Sequence, residues 1–158
     1  FAKDINGIID AVICVDLSSD VVEEKQLRDA LKKENIALIK LITPTTSDKR
    51  IKEIVKDAEG FIYSVNVEGQ TGVKSANVDK VNLQIEKIKK YTTIPVVSGF
   101  GIKNEDDVKT FSKSKADGIV LGSAIVNEIQ KKSSKTMDKH IVANFINEYC
   151  KTLINKLN

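Results

Sequence analysis

The sequence predicts an α/β fold of repeated βα units, a (β/α)8 TIM barrel represented by about its last five units, and three observations carry the prediction. Short apolar runs rich in β-branched residues recur at 11–15, 36–42, 60–65, 94–97 and 118–121, which is how buried strands of a parallel sheet read. Their starts are separated by 25, 24, 34 and 24 residues, the repeat of a βα unit and not of a helical solenoid. The last two runs each end in a glycine-bearing turn, Ser98-Gly99-Phe100-Gly101-Ile102 and Leu121-Gly122-Ser123-Ala124-Ile125, where barrels of this class commonly grip phosphate.

Between the apolar runs lie helical patterns. Leu27, Ala30 and Leu31, then Ile51, Ile54, Val55 and Ala58, then Val81, Ile85 and Ile88, and more weakly Val108 with Phe111, each mark one apolar helix face. Residues 123–129 read as a short extra helix after the last strand. The stripe Ile141, Val142, Phe145, Ile146, Tyr149, Cys150, Leu153 and Ile154 predicts a long closing helix. Phe1, Ala2 and Ile5 read as the end of a helix feeding the first strand through Gly7. The longest interval holds its excess in Asn66-Val67-Glu68-Gly69-Gln70-Thr71-Gly72-Val73-Lys74-Ser75, a polar stretch of the kind that serves a site or stays disordered. A closed barrel has eight strands and typically about 250 residues, so the five visible strands are expected to be the fourth to the eighth, with roughly three units upstream of Phe1. The alternative is an open sheet.

Composition narrows the function classes. The 158 residues are 41% hydrophobic and 30% charged, ordinary for one folded α/β domain with no second domain. The 25 basic and 22 acidic residues are intermixed, leaving no concentrated basic field for nucleic acid. No stretch is apolar enough to span a membrane. Cys14 and Cys150 lack metal or CxxC spacing and are expected to be buried thiols in a reducing cytoplasm. The chain opens on Phe1-Ala2-Lys3-Asp4, which reads as a cut rather than a leader.

Glycine lets backbone N–H groups approach an anion closely, and a following helix N-terminus adds partial positive charge. One such turn alone is more simply explained as a tight βα connection. Two turns, with Gly101 and Gly122 21 residues apart at the ends of neighbouring strands, bring two backbone nests to one point and predict a phosphate site. Gly69 to Gly72 is a third glycine patch with the Thr71 hydroxyl, or simply a surface loop. Asp16 at the end of the first strand either acts on substrate or caps the next helix. Tyr63 either lines the barrel mouth or finds a core partner. His140, the single histidine, is expected to be exposed and uninvolved, and neither a zinc site nor a nucleophilic triad is visible.

In order, Ile36-Ala37-Leu38-Ile39 through Thr43-Pro44-Thr45-Thr46, Gly60-Phe61-Ile62-Tyr63, Gly69-Gln70-Thr71-Gly72, Gly99-Phe100-Gly101-Ile102 and Gly122-Ser123-Ala124-Ile125-Val126 resemble the tryptophan synthase alpha subunit family from end to end. The specificity lies in the order of five motifs, since the last two recur in several phosphate-binding barrels. The resemblance implies cleavage of indole-3-glycerol phosphate to indole and glyceraldehyde 3-phosphate in tryptophan biosynthesis, with a pyridoxal-phosphate beta subunit as partner and no cofactor in this chain. It implies that Gly72, Gly101, Gly122 and Ser123 bind phosphate and that Tyr63 sits near the glycerol portion. Ile13, Val15, Leu41 and Phe100 would form part of the indole pocket, with Thr71 on a loop that closes over substrate and orients a catalytic aspartate. Ser18 stands where the family usually has proline, and Gln70 where it usually has valine.

The resemblance further implies that the catalytic residues, an acid/base glutamate and an aspartate, belong to strands upstream of Phe1. The chain alone is then expected to be inactive, to be completed by a separate N-terminal fragment of the same barrel, and to dimerise or aggregate through open strand edges. Two other readings stay open here. One is a different phosphate-binding barrel, flavin-dependent or phosphoribosylanthranilate isomerase-like; the other is a non-catalytic half-barrel that binds phosphate or a partner.

Overall fold

The computed structural model describes residues 1–18, 20–65, 75–99, 102, 104–132 and 139–157. A 3-10 turn, Lys3–Ile5, leads into β1 (Ala11–Ile13), α1 (Val22–Lys32), β2 (Ala37–Ile42), α2 (Asp48–Lys56), β3 (Ile62–Val65) and α3 (Ser75–Lys89). There follow β4 (Val96–Gly99), α4 (Glu105–Phe111), β5 (Gly118–Val120), α5 (Ser123–Lys132) and α6 (Lys139–Ile154). The sheet order is β1-β2-β3-β4-β5, and each strand pairs parallel with the next.

Sequential parallel order decides between the barrel and the open sheet. Doubly wound sheets reverse their strand order at a switch point so that helices cover both faces. Here no reversal occurs, and right-handed crossovers all in one direction put every helix on the same face. The chain is a run of five βα units of a (β/α)8 barrel, as its five apolar runs predict.

Register assigns the two faces, because parallel partners share a face and successive residues alternate. Val12, Leu38, Lys40, Ile42, Ile62, Ser64, Val96, Ser98 and Ile119 face the helices. The main core forms there, where Ile42, Ile62 and Val96 meet Ile51 and Ile54 of α2, Val81, Ile85 and Ile88 of α3, and Val108 and Phe111 of α4. A smaller cluster packs Leu31 of α1, Ile36 and Leu38 with Ile5, Val12, Cys14 and Leu27. Each fully buried aliphatic side chain contributes about 1.5–3 kcal/mol relative to exposure. The opposite, concave face carries Ala11, Ile13, Ile39, Leu41, Tyr63, Val65, Val97, Gly99 and Val120.

Local chemistry sets the boundaries. Asn35 adopts φ 58° and closes α1 with Ile36 N–H donating to the Leu31 carbonyl at 3.0 Å, a left-handed C-terminal stop. Ser47 and Asn104 cap α2 and α4 through Arg50 N–H and Asp107 N–H, at 3.3 and 2.9 Å. At Gly60, φ is +68°, so the third strand starts at Ile62 rather than at 60. The fourth runs from Val96 through Gly99, because Pro95 has no N–H for the ladder. The first ends at Ile13 instead of Val15, where its register with β2 runs out.

Two expectations differ in the structure. Cys14 and Cys150 are half-buried, not buried, since Cys14 follows the last paired residue of β1 and Cys150 lies on a helix flank. Asp16 does not cap α1, whose N-cap is Val21 with no side-chain hydrogen bond; five residues separate Asp16 from the first helical residue. The opening residues form a 3-10 turn over Lys3–Ile5, a geometry common at helix ends.

Candidate functional site

In an all-parallel barrel the carboxyl ends of the strands carry the site, because the βα turns and helix N-termini converge there. β5 ends at Val120, and α5 begins three residues later at Ser123. Val126 N–H donates to the Gly122 carbonyl at 3.1 Å, closing the first turn, and that turn carries no acidic residue. The N–H groups at this terminus have no intrahelical acceptor and point along the positive end of the helix dipole. A Cβ built on Gly122 meets nothing within 4 Å, and Gly122 and Ser123 are exposed. This is open, anion-favouring space.

Tyr63 stands on the concave face between Leu41 and Val97 in the ladder. Its hydroxyl is directed at Gly99: a Cβ there would overlap Tyr63 Oη and lie 2.6 Å from a ring carbon. Only glycine admits the ring at this approach. Partial burial raises the Tyr63 pKa, so the phenol stays protonated at neutral pH and can donate. Ile13 and Leu41 share its face. Val15 lies two residues past the end of β1 and is 72% exposed.

The sheet thus collects Ile13, Leu41 and Tyr63 on one face and places Gly122 and Ser123 at the carboxyl edge of β5. Thr71, Gly72, Phe100 and Gly101 lie outside the described residues, as do Gly69 and Gln70. His140 is exposed, on α6. Among the described residues no group of three His, Cys, Asp or Glu side chains is placed to hold a metal, and no helix is long and apolar enough to cross a membrane.

Two features of this region do not stand out in the sequence. Gly99 reads in the sequence only as part of a turn, although its spacing from Tyr63 follows once β3 and β4 are paired. The second is Lys40, buried on β2 and bonded to the Glu24 carboxylate of α1, with side-chain exposures of 6% and 4%. Its signal was present: a lysine inside Ala37-Leu38-Ile39-Lys40-Leu41-Ile42 must have a partner if the run is buried.

A family model for the tryptophan synthase alpha chain matches residues 1–155. The chain belongs to this family. The tryptophan synthase alpha chain of Caulobacter vibrioides is 43% identical over 122 residues, covering 77% of this chain and 43% of that protein. That of Erythrobacter litoralis is 39% identical over 127 residues, covering 80% and 48%. Among solved structures, the tryptophan synthase subunit alpha from Campylobacter jejuni superposes with a TM-score of 0.76 at 35% identity, covering 92% of this chain and 56% of that one. A mutant tryptophan synthase alpha-subunit from Pyrococcus furiosus gives 0.72 at 26% identity, with 93% and 55% covered. The chain therefore spans about half the length of its relatives in the tryptophan synthase alpha chain family.

Proposed function

We propose that this chain is the phosphate-holding portion of a tryptophan synthase alpha chain. The protein to which it contributes cleaves indole-3-glycerol phosphate to indole and glyceraldehyde 3-phosphate, in the cytoplasm, alongside a pyridoxal-phosphate beta subunit that consumes the indole. The chain forms one portion of a single barrel. The observation that carries the reading is the unobstructed N-terminus of α5 at Gly122 and Ser123, on the same sheet as the face bearing Ile13, Leu41 and Tyr63. A phosphate at the first, with an apolar ring against the second, matches the two ends of such a substrate.

In this reading Gly72, Gly101, Gly122 and Ser123 hold the phosphate and Tyr63 donates its phenol proton to the glycerol portion. Ile13, Val15, Leu41 and Phe100 pack on the indole, while Thr71 supports loop closure that excludes water. The acid and base of carbon–carbon cleavage come from the family's early strands, so the chain alone binds but does not turn over. Titration with indolepropanol phosphate tests this: saturable binding that weakens about tenfold in Ser123→Asp, by like-charge repulsion, is expected. Indole release should appear only on addition of the segment carrying the early strands. No binding by the wild-type chain overturns the reading.

A further inference from the structure

Beside the concave face lies a cavity of about 230 Å3 whose walls include none of the residues assigned to the phosphate. It exists because β1 leaves the ladder at Ile13, opposite Ile39, while β2 continues to Ile42. Val15 and Leu41 wall the gap toward the concave face, Cys14, Leu38 and Ile54 toward the helices. A cavity of roughly 150 Å3 holds benzene, so this one has room for the edge of a bicyclic ring.

The wall is not wholly apolar. Lys40 and Glu24 line it, and their hydrogen bond spends one of the three donors of the ammonium on Glu24 Oε1. The other carboxylate oxygen faces Arg28 Nε at 3.9 Å, beyond hydrogen-bond reach. A buried pair with unspent donors and lone pairs gains from one further polar partner. Arg50 also lines the cavity, but Asp20 and Glu53 offset its charge at 3.0 and 3.2 Å as Glu24 offsets that of Lys40, so a neutral hydroxyl suits the wall better than a further ion.

We propose that this cavity seats the benzo edge of an indole ring carrying a hydroxyl substituent, the hydroxyl accepting from Lys40 Nζ and donating to Glu24 Oε2. The inference rests on the reading of Val15 and Leu41 as ring-binding residues, since both also wall the cavity, and extends it to a class of substituted substrates.

The chain contains no tryptophan, so ligand fluorescence can be followed directly, and Cys14 in the cavity wall is matched by Cys150 on α6 as a control. Indole, 5-hydroxyindole and 5-fluoroindole would be titrated into the chain while alkylation of both cysteines is followed by mass spectrometry. The hydroxyindole is expected to bind about tenfold more tightly than the other two and to slow alkylation at Cys14 but not at Cys150. In Lys40→Met/Glu24→Leu, which removes both charges together, the preference should fall below about twofold; the fluoroindole comparison stands if that variant does not fold. Equal affinities for all three ligands overturn the hydroxyl subsite and leave the ring reading intact. Absence of binding by all three overturns both.

Discussion

A methyl group on residue 99 would collide with the Tyr63 phenol, and this contact is the most sensitive point of the candidate site. Gly99→Ala must push the ring off its place in the ladder or shift β4. A stability loss of about 1–3 kcal/mol is expected by urea titration, with a larger relative loss of indolepropanol phosphate affinity than of fold. Unchanged affinity in a folded variant would remove Tyr63 from the ligand's vicinity. At the opposite end of the strands, Asp117 accepts from Val96 N–H and from Lys89 Nζ, each at 2.7 Å. The Lys89 hydrogen bond, then that of the Val96 amide, holds its carboxyl below the ordinary aspartate range. A depressed folded-state pKa gives stability that is present above the unfolded value and lost as pH falls through the folded one. Asp117→Asn should therefore be less stable than the wild type near pH 7, by about 1 kcal/mol after allowance for its solvent exposure. The gap should close as the pH is lowered below about 4. Denaturation midpoints at both pH values check the sign.

Between elements, the buried charge of Lys40 ties β2 to α1 through Glu24, and Arg28 carries the link onward to Asp57 past the end of α2, at 2.5 Å. Removing one member of a buried pair leaves the other uncompensated, whereas removing both can be nearly neutral. Lys40→Met is expected to cost about 3–5 kcal/mol and Lys40→Met/Glu24→Leu much less, a coupling that a double-mutant cycle in denaturant measures directly. Helix caps act on a smaller scale. Asn104 holds the start of α4 through Asp107 N–H, and Asn104→Ala should lower stability by about 1 kcal/mol. These elements were largely legible in advance, since β-branched runs and apolar helix faces are local properties. Boundaries moved where one residue overrode the pattern: left-handed Gly60, Pro95 without a donor, and β1 at the point where its partner diverges.

At the scale of the whole molecule, β1 is an outer strand of the described sheet, and Ile13 and Val15 beside it are 45% and 72% exposed. An outer strand offers unpaired backbone groups, and exposed aliphatics add a driving force for association. The isolated chain is expected to self-associate with rising concentration in sedimentation velocity, and Val15→Lys to shift the equilibrium toward monomer. A concentration-independent monomer would show that this surface is inert.

The sequence by itself determined the order of βα units, the barrel class, the family and the glycine turns, because periodicity, spacing and motif order are written along the chain. Only the tertiary structure decided which residues share the concave face, why position 99 must lack a side chain, and that Lys40 and Glu24 meet in the core beside a cavity. Those facts depend on which strand lies beside which and in what register, and pairing joins residues 20 or more positions apart along the chain, fixed where each strand buries its apolar face.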